Sequence, residues 1–258
     1  MLTTLLTNLG LTLGLMTLLW LLSLKLRDAS IVDIFWGCGF IAVAWSTALQ
    51  TGVPDLPQLL LPLAATLWGL RLAVYLASRN LGHGEDKRYA AMRAARPDTF
   101  WRWSLFAIFW FQALLCWFIA LPLQVGLLAP RSADLLGTDV AGLALFIVGF
   151  AWEAIADGQL ARFKRDPANR GAVMDRGLWR FSRHPNYFGE AVLWWGIWLM
   201  AAGAPEARWT AVGPALLTFL LLRVSGVTLL ERTIVERRPA YAEYIRRTPA
   251  FLPGPRRP

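Results

Sequence analysis

Long apolar stretches alternate along this chain with short gaps that hold most of its charge. The stretches run roughly over 2–24, 30–51, 55–78, 103–128, 136–157, 187–204 and 209–230. A helix needs about 20 mainly apolar residues to cross the hydrocarbon core of a bilayer, and all seven stretches are near or above that length. The pattern predicts an all-α polytopic membrane protein with about seven transmembrane helices. The first stretch is too long for a signal peptide and lacks the basic start and small-residue cleavage site of one, so it counts as a span. Fourteen Trp and fourteen Phe, many near the ends of stretches, fit interfacial anchoring.

The basic residues fall in alternate gaps. Lys25 and Arg27 follow the first stretch, and Arg79, Lys87, Arg88, Arg93, Arg96 and Arg102 follow the third. Arg162, Lys164, Arg165, Arg170, Arg176, Arg180 and Arg183 follow the fifth; Arg232, Arg237, Arg238, Arg246, Arg247, Arg256 and Arg257 follow the seventh. The opposite gaps hold Arg131 and Arg208. By the positive-inside rule the N-terminus is outside and the C-terminus cytoplasmic. The net charge of +9 is then read as basic cytoplasmic loops facing anionic lipid. No nucleic-acid motif accompanies it. Cys38 and Cys116 make no disulfide framework. With His83 and His184 as the two histidines, a His-built metal site is not expected.

Ionisable groups inside spans are costly and mark functional sites. Glu153 and Asp157 lie four apart, on one helical face. Arg71 and Tyr75 share that spacing in the third stretch, and Asn186, Glu190 and Trp194 continue one face of the sixth. Asp33 lies near the start of the second stretch, and Arg223 and Glu231 in the last third of the seventh. Under the expected topology all fall in the cytoplasmic half of the bilayer, which predicts one polar cavity opening to that side. The competing reading of any one of them is interhelical hydrogen bonding or snorkelling. Arg79 and Asn80 begin a polar loop whose Gly82-x-Gly84 is no dinucleotide fingerprint, because no strand precedes it and no third glycine follows.

The densest polar run is Asp175 to Glu190. Pro185 suits the first turn of a helix, placing Arg183 and His184 beside a helix start that favours anions. The tail adds Glu231, Arg237, Arg238, Tyr241, Tyr244 and Arg247. Together these groups are expected to bind phosphates and stack on flat rings. A basic amphipathic tail lying on anionic lipid is the competing reading.

Ser182-Arg183-His184-Pro185-Asn186-Tyr187-x-Gly189-Glu190, the following Trp194-Trp195-Gly196, and the terminal Thr248-Pro249-x-Phe251-x-Pro253 resemble the C-terminal domain of the steroid 5α-reductase superfamily. The closest likeness is to its bacterial branch of unknown function. Ser30-Ile31-Val32-Asp33-x2-Trp36-Gly37 and Gly84-Glu85-Asp86-x-Arg88-Tyr89 resemble that branch too. The similarity covers nearly the whole chain and is strongest from about residue 150 onward. A more distant likeness extends to sterol reductases and to isoprenylcysteine and phospholipid methyltransferases.

The resemblance implies one membrane domain over 1–258, with substrate-side helices in 1–130 and a cofactor-binding half in 136–258. It implies a bacterial inner-membrane reductase holding NADPH on the cytoplasmic side. Its substrate would be a lipophilic, steroid-like or isoprenoid-like enone reaching it from the bilayer; membrane lipid is the other expected partner. By motif, Asn186, Glu190 and Trp194 match residues lining the cofactor. Asp157 matches an acidic residue near it, Lys164 or Arg165 a basic one, and Arg71 and Tyr75 a further contacting pair. Glu153, Arg79, Asn80, Arg183, His184, Tyr187, Glu231, Tyr241 and Tyr244 complete the expected cofactor set. The catalytic candidates are Asp33, Trp68 and Tyr75. The reductases carry a Tyr three residues before the Arg; here Trp68 stands there, which donates a hydrogen bond but holds no acidic proton. Their partnering Glu aligns with Asp33, expected as a carboxyl kept neutral by desolvation. Two other readings stay open: an S-adenosylmethionine-dependent lipid or isoprenylcysteine methyltransferase, and a non-enzymatic lipid-binding or transport protein.

Overall fold

The computed structural model describes residues 1–52, 54–224 and 239–257. Its elements are helices, and the described residues contain no strand. They are α1 (Leu2–Leu26), α2 (Ile31–Thr51), α3 (Leu56–Asn80), α4 (Lys87–Ala94), α5 (Phe100–Ile119), α6 (Leu121–Leu128), α7 (Gly137–Arg165), α8 (Pro185–Ala201), α9 (Pro205–Val224) and α10 (Ala240–Arg247). Local chemistry sets their limits. α3 opens on Asp55, whose amide donates to the Gln58 side chain at 3.2 Å, with proline in the first turn. α4 opens on Asp86, whose carboxylate accepts from the Arg88 amide at 2.9 Å.

Among the described residues six helices are long and apolar enough to cross a membrane: α1, α2, α3, α5, α7 and α9. The chain is an integral membrane protein. About seven are expected, and the remaining stretch differs from these six. The stretch over 187–204 folds into α8, 17 residues long, which is shorter than the other six. Leu193, Trp194 and Ile197 in it are fully buried, so its apolarity serves a protein core. The stretch over 103–128 is broken at Ala120, where Pro122 enters the first turn of the next helix. Helix α7 continues eight residues past its apolar stretch, to Arg165.

The chain forms two compact units. The first comprises Met1–Asp139 and Met200–Gly213. Within it α2 packs along α3 at a crossing where Gly37 and Gly69 meet backbone to backbone. A Cβ on Gly37 would lie 2.4 Å from the Gly69 carbonyl oxygen. Buried Asn8 bridges α1, α2 and α6, donating to Thr47 Oγ1 at 2.8 Å and Gln124 Oε1 at 3.0 Å and accepting from Ser46 at 2.8 Å. Such side-chain bonds join helices where the hydrophobic effect gives no drive. Arg131 and Asp139 form a buried ion pair at 2.5 Å.

The second unit comprises Val140–Leu199 and Pro214–Pro258. Its spine is the α7–α8 pair. Gly149 meets Gly189 and Leu193, and Gly196 meets Gly142 and Phe146, with a Cβ at Gly149, Gly189 or Gly196 lying under 3 Å from a facing backbone atom. The glycines are seven apart on each helix, two turns, so they line one seam.

Candidate functional site

The seam brings two sets of polar side chains together. Glu153 and Asp157 on α7 are buried, as are Glu190 and Trp194 on α8. Gly189 permits this: with no side chain of its own, it lets the backbone of Glu153 approach to where a Cβ would be 2.6 Å from its amide nitrogen. Asn186, one turn before Glu190, donates from Nδ2 to Asp157 Oδ1 at 3.2 Å. Its Oδ1 is buried and has no hydrogen-bond partner among the described residues. The wall is rich in acceptors: three carboxyl groups and one amide oxygen. A group that presents N–H donors, such as a primary carboxamide, complements it.

Two turns further along α7, Lys164 and Arg165 line a cavity of about 250 Å³ with Phe163, Arg170 and Met174. Its floor is a short turn, Pro167–Asn169, capped by Asp166, whose carboxylate accepts from the Ala168 amide at 2.9 Å. Asn169 Nδ2 donates to the Phe163 carbonyl at 3.1 Å. The lining mixes apolar side chains, Leu160, Phe163 and Met174, with three cations and the Asp166 carboxylate, and the cations suit a phosphate.

The Ser182–His184 motif has a different part. Arg183 Nη1 donates to the carbonyl of Ile245 at 3.0 Å and of Thr248 at 2.5 Å, and its own amide donates to the Pro249 carbonyl at 2.9 Å. Ser182 Oγ donates to the Phe251 carbonyl at 2.9 Å and accepts from the His184 amide at 3.1 Å. Tyr244, on α10, donates to the Trp179 carbonyl at 2.5 Å. Burial pushes its phenol up, and the nearby Tyr241 adds to this. Farther out, Gly254 donates to Phe181 and Arg256 pairs with Asp175 at 2.8 Å. The C-terminal segment is thus strapped along residues 175–183, fixing the start of α8. The His184 ring stacks on Tyr187, centroids 5.4 Å apart. Tyr241 packs edge-on against Tyr244. Glu231 lies outside the described residues.

In the first unit, Trp68 is fully buried at the α2–α3 crossing, edge-on to Phe40 with centroids 5.4 Å apart. Arg71, Tyr75, Arg79 and Asn80 follow it down α3, and the Arg79 guanidinium lies 5.9 Å from the Tyr75 ring. Asp33 is not a lone desolvated acid. Its Oδ2 accepts from Arg88 Nη2 at 2.8 Å and its Oδ1 from Tyr89 at 2.7 Å. Burial and the Asp33 charge raise the Tyr89 phenol well above its usual value, so it stays a donor. The sequence pattern presents Asp33 as a carboxyl without a charged neighbour; in the structure both of its oxygens have partners, Arg88 and Tyr89. Beside it Glu85 accepts from Arg93 at 2.7 Å and from the Ala29 amide at 2.8 Å. The two upstream motifs therefore clasp each other, tying the loop before α4 to the head of α2.

A family model described as a protein of unknown function (DUF1295) matches residues 19–248. The chain belongs to the DUF1295 family. The chain is also similar to the uncharacterized protein C594.04c of Schizosaccharomyces pombe, 28% identical over 91% of this chain and 75% of that protein. No solved structure matches. The region that marks the DUF1295 family includes both the α7–α8 constellation and the Asp33–Arg88–Tyr89 clasp.

Sequence reasoning missed Asn8, Gln124 and the Arg131–Asp139 pair. Asn8 and Gln124 are uncharged, so a search for ionisable groups passes over them, and Arg131 reads in the sequence as a topological charge. Polar spacing on one face, Asn8 with Thr4 and Thr12, was the signal that could have found the first cluster.

Proposed function

We propose that this protein is an NADPH-dependent reductase of a conjugated carbon–carbon double bond in a lipophilic enone. The observation that carries the reading is the buried acceptor wall of Glu153, Asp157, Asn186 and Glu190, with the cationic Lys164–Arg165–Arg170 cavity about two turns along the same helix. One end suits a nicotinamide carboxamide, the other suits phosphates. The residues therefore fit a nicotinamide dinucleotide, and the likeness to the steroid 5α-reductase superfamily agrees.

Bound NADPH would supply the hydride that adds to the β-carbon of the enone as its C=C π bond breaks. The chain's part is to orient and to exclude water. Asn186 Oδ1, unpartnered among the described residues, would accept from the carboxamide, while Asp157 holds the Asn186 side chain in register. Trp194, fully buried, gives the ring a flat apolar neighbour. The carbonyl oxygen of the substrate gains charge and needs a donor. Trp68 has no acidic proton and Asp33 is ion-paired, so Tyr75 remains as the donor of the three candidates. The positive-inside rule supports an orientation with the basic gaps, and with them the proposed cofactor, on the cytoplasmic side.

The test is cofactor binding by detergent-solubilised protein. NADPH should stabilise it against heat and bind at least about tenfold tighter than NADH, since a 2′-phosphate gains a guanidinium or ammonium partner worth about 1.4 kcal/mol. Asn186→Ala should weaken NADPH by about 1–3 kcal/mol. Protection by S-adenosylmethionine in place of NADPH would overturn the reading in favour of methyl transfer.

A further inference from the structure

One end of the first unit gathers an unusual surface. The end of α1, the start of α2, the end of α3, all of α4 and the start of α5 meet there. The Ala29 amide donates to Glu85 and the Trp20 indole donates to the Trp101 carbonyl at 2.9 Å. Eight cations lie on this end: Lys25, Arg27, Arg79, Lys87, Arg88, Arg93, Arg96 and Arg102. Two are engaged by carboxylates, Arg88 by Asp33 and Asp86, and Arg93 by Glu85. Among the described residues no carboxylate pairs with Lys25, Arg27, Lys87, Arg96 or Arg102. Arg96 and Arg102, and also the paired Arg93, lie against rings. Arg96 lies 4.3 Å from the centre of the Trp103 ring, Arg102 5.3 Å from Trp101 and Arg93 4.2 Å from Phe100. Next to them Trp101, Phe106 and Met92 are exposed.

We propose that this end of the first unit is a headgroup site for anionic phospholipid, with Lys87, Arg96 and Arg102 contacting the phosphate. Four helices of spanning length begin or end here, so this surface lies at the level of the headgroups. Ring-stacked guanidinium groups keep their N–H donors turned along the surface, and their loose hydration suits phosphodiester oxygens. Exposed Trp and Phe beside them fit the glycerol and upper acyl region. A soluble anion would have no use for that apolar border, which favours a lipid over free phosphate. The internal pairs are spent holding α4 in place; the unpaired cations are left for the membrane.

The experiment titrates dioleoylphosphatidylglycerol into the full chain in a neutral detergent, reading bound lipid by native mass spectrometry and heat stability in parallel. Dioleoylphosphatidylcholine and inorganic phosphate are the comparison probes. Lys87→Gln/Arg96→Gln/Arg102→Gln is compared with Arg162→Gln/Arg176→Gln/Arg246→Gln, which removes as many exposed charges from the other unit. Each lost cation should weaken binding about fivefold, so the first variant loses about a hundredfold and the second little. If the triple variant does not fold, Arg102→Gln alone should show the fivefold loss. Wild-type binding of phosphatidylglycerol by the first variant overturns the proposal. So does equal binding of phosphatidylcholine, or equal stabilisation by inorganic phosphate, which would make this a free-anion site.

Discussion

Replacing Gly189 by alanine tests whether the α7–α8 seam positions the site. The new Cβ would lie 2.6 Å from the Glu153 amide nitrogen and 2.7 Å from the Gly149 carbonyl oxygen, against 3.4–4 Å for ordinary contact. Both obstacles are backbone, so no rotamer relieves them. The helices must separate by roughly 0.8 Å at this point, an overpacking strain that costs about 1–3 kcal/mol. Asn186 and Asp157 are joined at 3.2 Å close by, and that separation takes the bond beyond hydrogen-bonding reach, adding about 1 kcal/mol. Gly189→Ala should therefore lower the melting temperature in detergent and weaken NADPH binding together. Gly158 is the internal control. It sits on α7 beside Asp157, and a Cβ there meets nothing within 4 Å. Gly158→Ala should be neutral or stabilise by about 0.4–1 kcal/mol through the unfolded chain. Equal melting temperatures and equal NADPH affinity for wild type and Gly189→Ala would refute the close-packed seam, and with it the account of how the acceptor wall is held.

Arg183→Gln should cost about 1.5–3 kcal/mol of stability and expose the C-terminal segment to proteases; if NADPH affinity falls while proteolysis does not change, Arg183 is a ligand group and not a strap. Tyr75→Phe should abolish turnover of an enone while the variant still binds NADPH, whereas Asp33→Asn should mainly lower heat stability; the reverse pattern in paired activity and melting measurements would return the acid to Asp33. Burial pushes the Glu85 carboxyl up, but hydrogen bonds from Arg93 and the Ala29 amide, with the Arg93 charge, outweigh it and hold it below its usual value. A carboxyl depressed by folding adds stability above its unfolded value that is lost as pH falls through the folded one, so melting should drop on acidification below about pH 4.5, and Glu85→Gln should flatten that part of the profile.

The apolar pattern made the helices legible because a bilayer demands long uninterrupted runs, and α1, α2, α3 and α7 begin within two residues of where the pattern put them. It does not set α8, 17 residues long with Leu193, Trp194 and Ile197 fully buried, apart from the longer helices, because a helix buried among protein helices is as apolar as one facing lipid. Four-residue spacings found Glu153 with Asp157 and Asn186 with Glu190, since local helical geometry fixes which side chains share a face. That the two pairs face each other was not legible, because it depends on Gly149, Gly189 and Gly196, whose meaning appears only when two helices are paired. Asp33 was read by itself as a costly intramembrane acid; its partners, Arg88 and Tyr89, lie more than fifty residues on.

Those partners bear on how the recurring polar motifs should be divided. A motif rich in Arg, His and Tyr invites the reading that all of it touches ligand. Here much of it is committed within the chain: Ser182, Arg183 and Tyr244 to the C-terminal strap, and Asp33, Glu85, Arg88 and Arg93 to the clasp at the head of α2. A side chain whose donors or acceptors are already satisfied gains little by turning to a ligand, because each bond made is a bond given up. The proposed cofactor groups lie elsewhere, in the acceptor wall of α7 and α8 and the cations of the 164–170 cavity. A change of chemistry among related chains should therefore show in Glu153, Asp157, Asn186, Glu190 and the Lys164–Arg165 pair, while the strap and clasp residues follow the fold. A related chain that keeps the strap and clasp but replaces the acceptor wall should retain its heat stability and lose NADPH binding; if such a chain binds NADPH as tightly as this one, the wall is not the nicotinamide site.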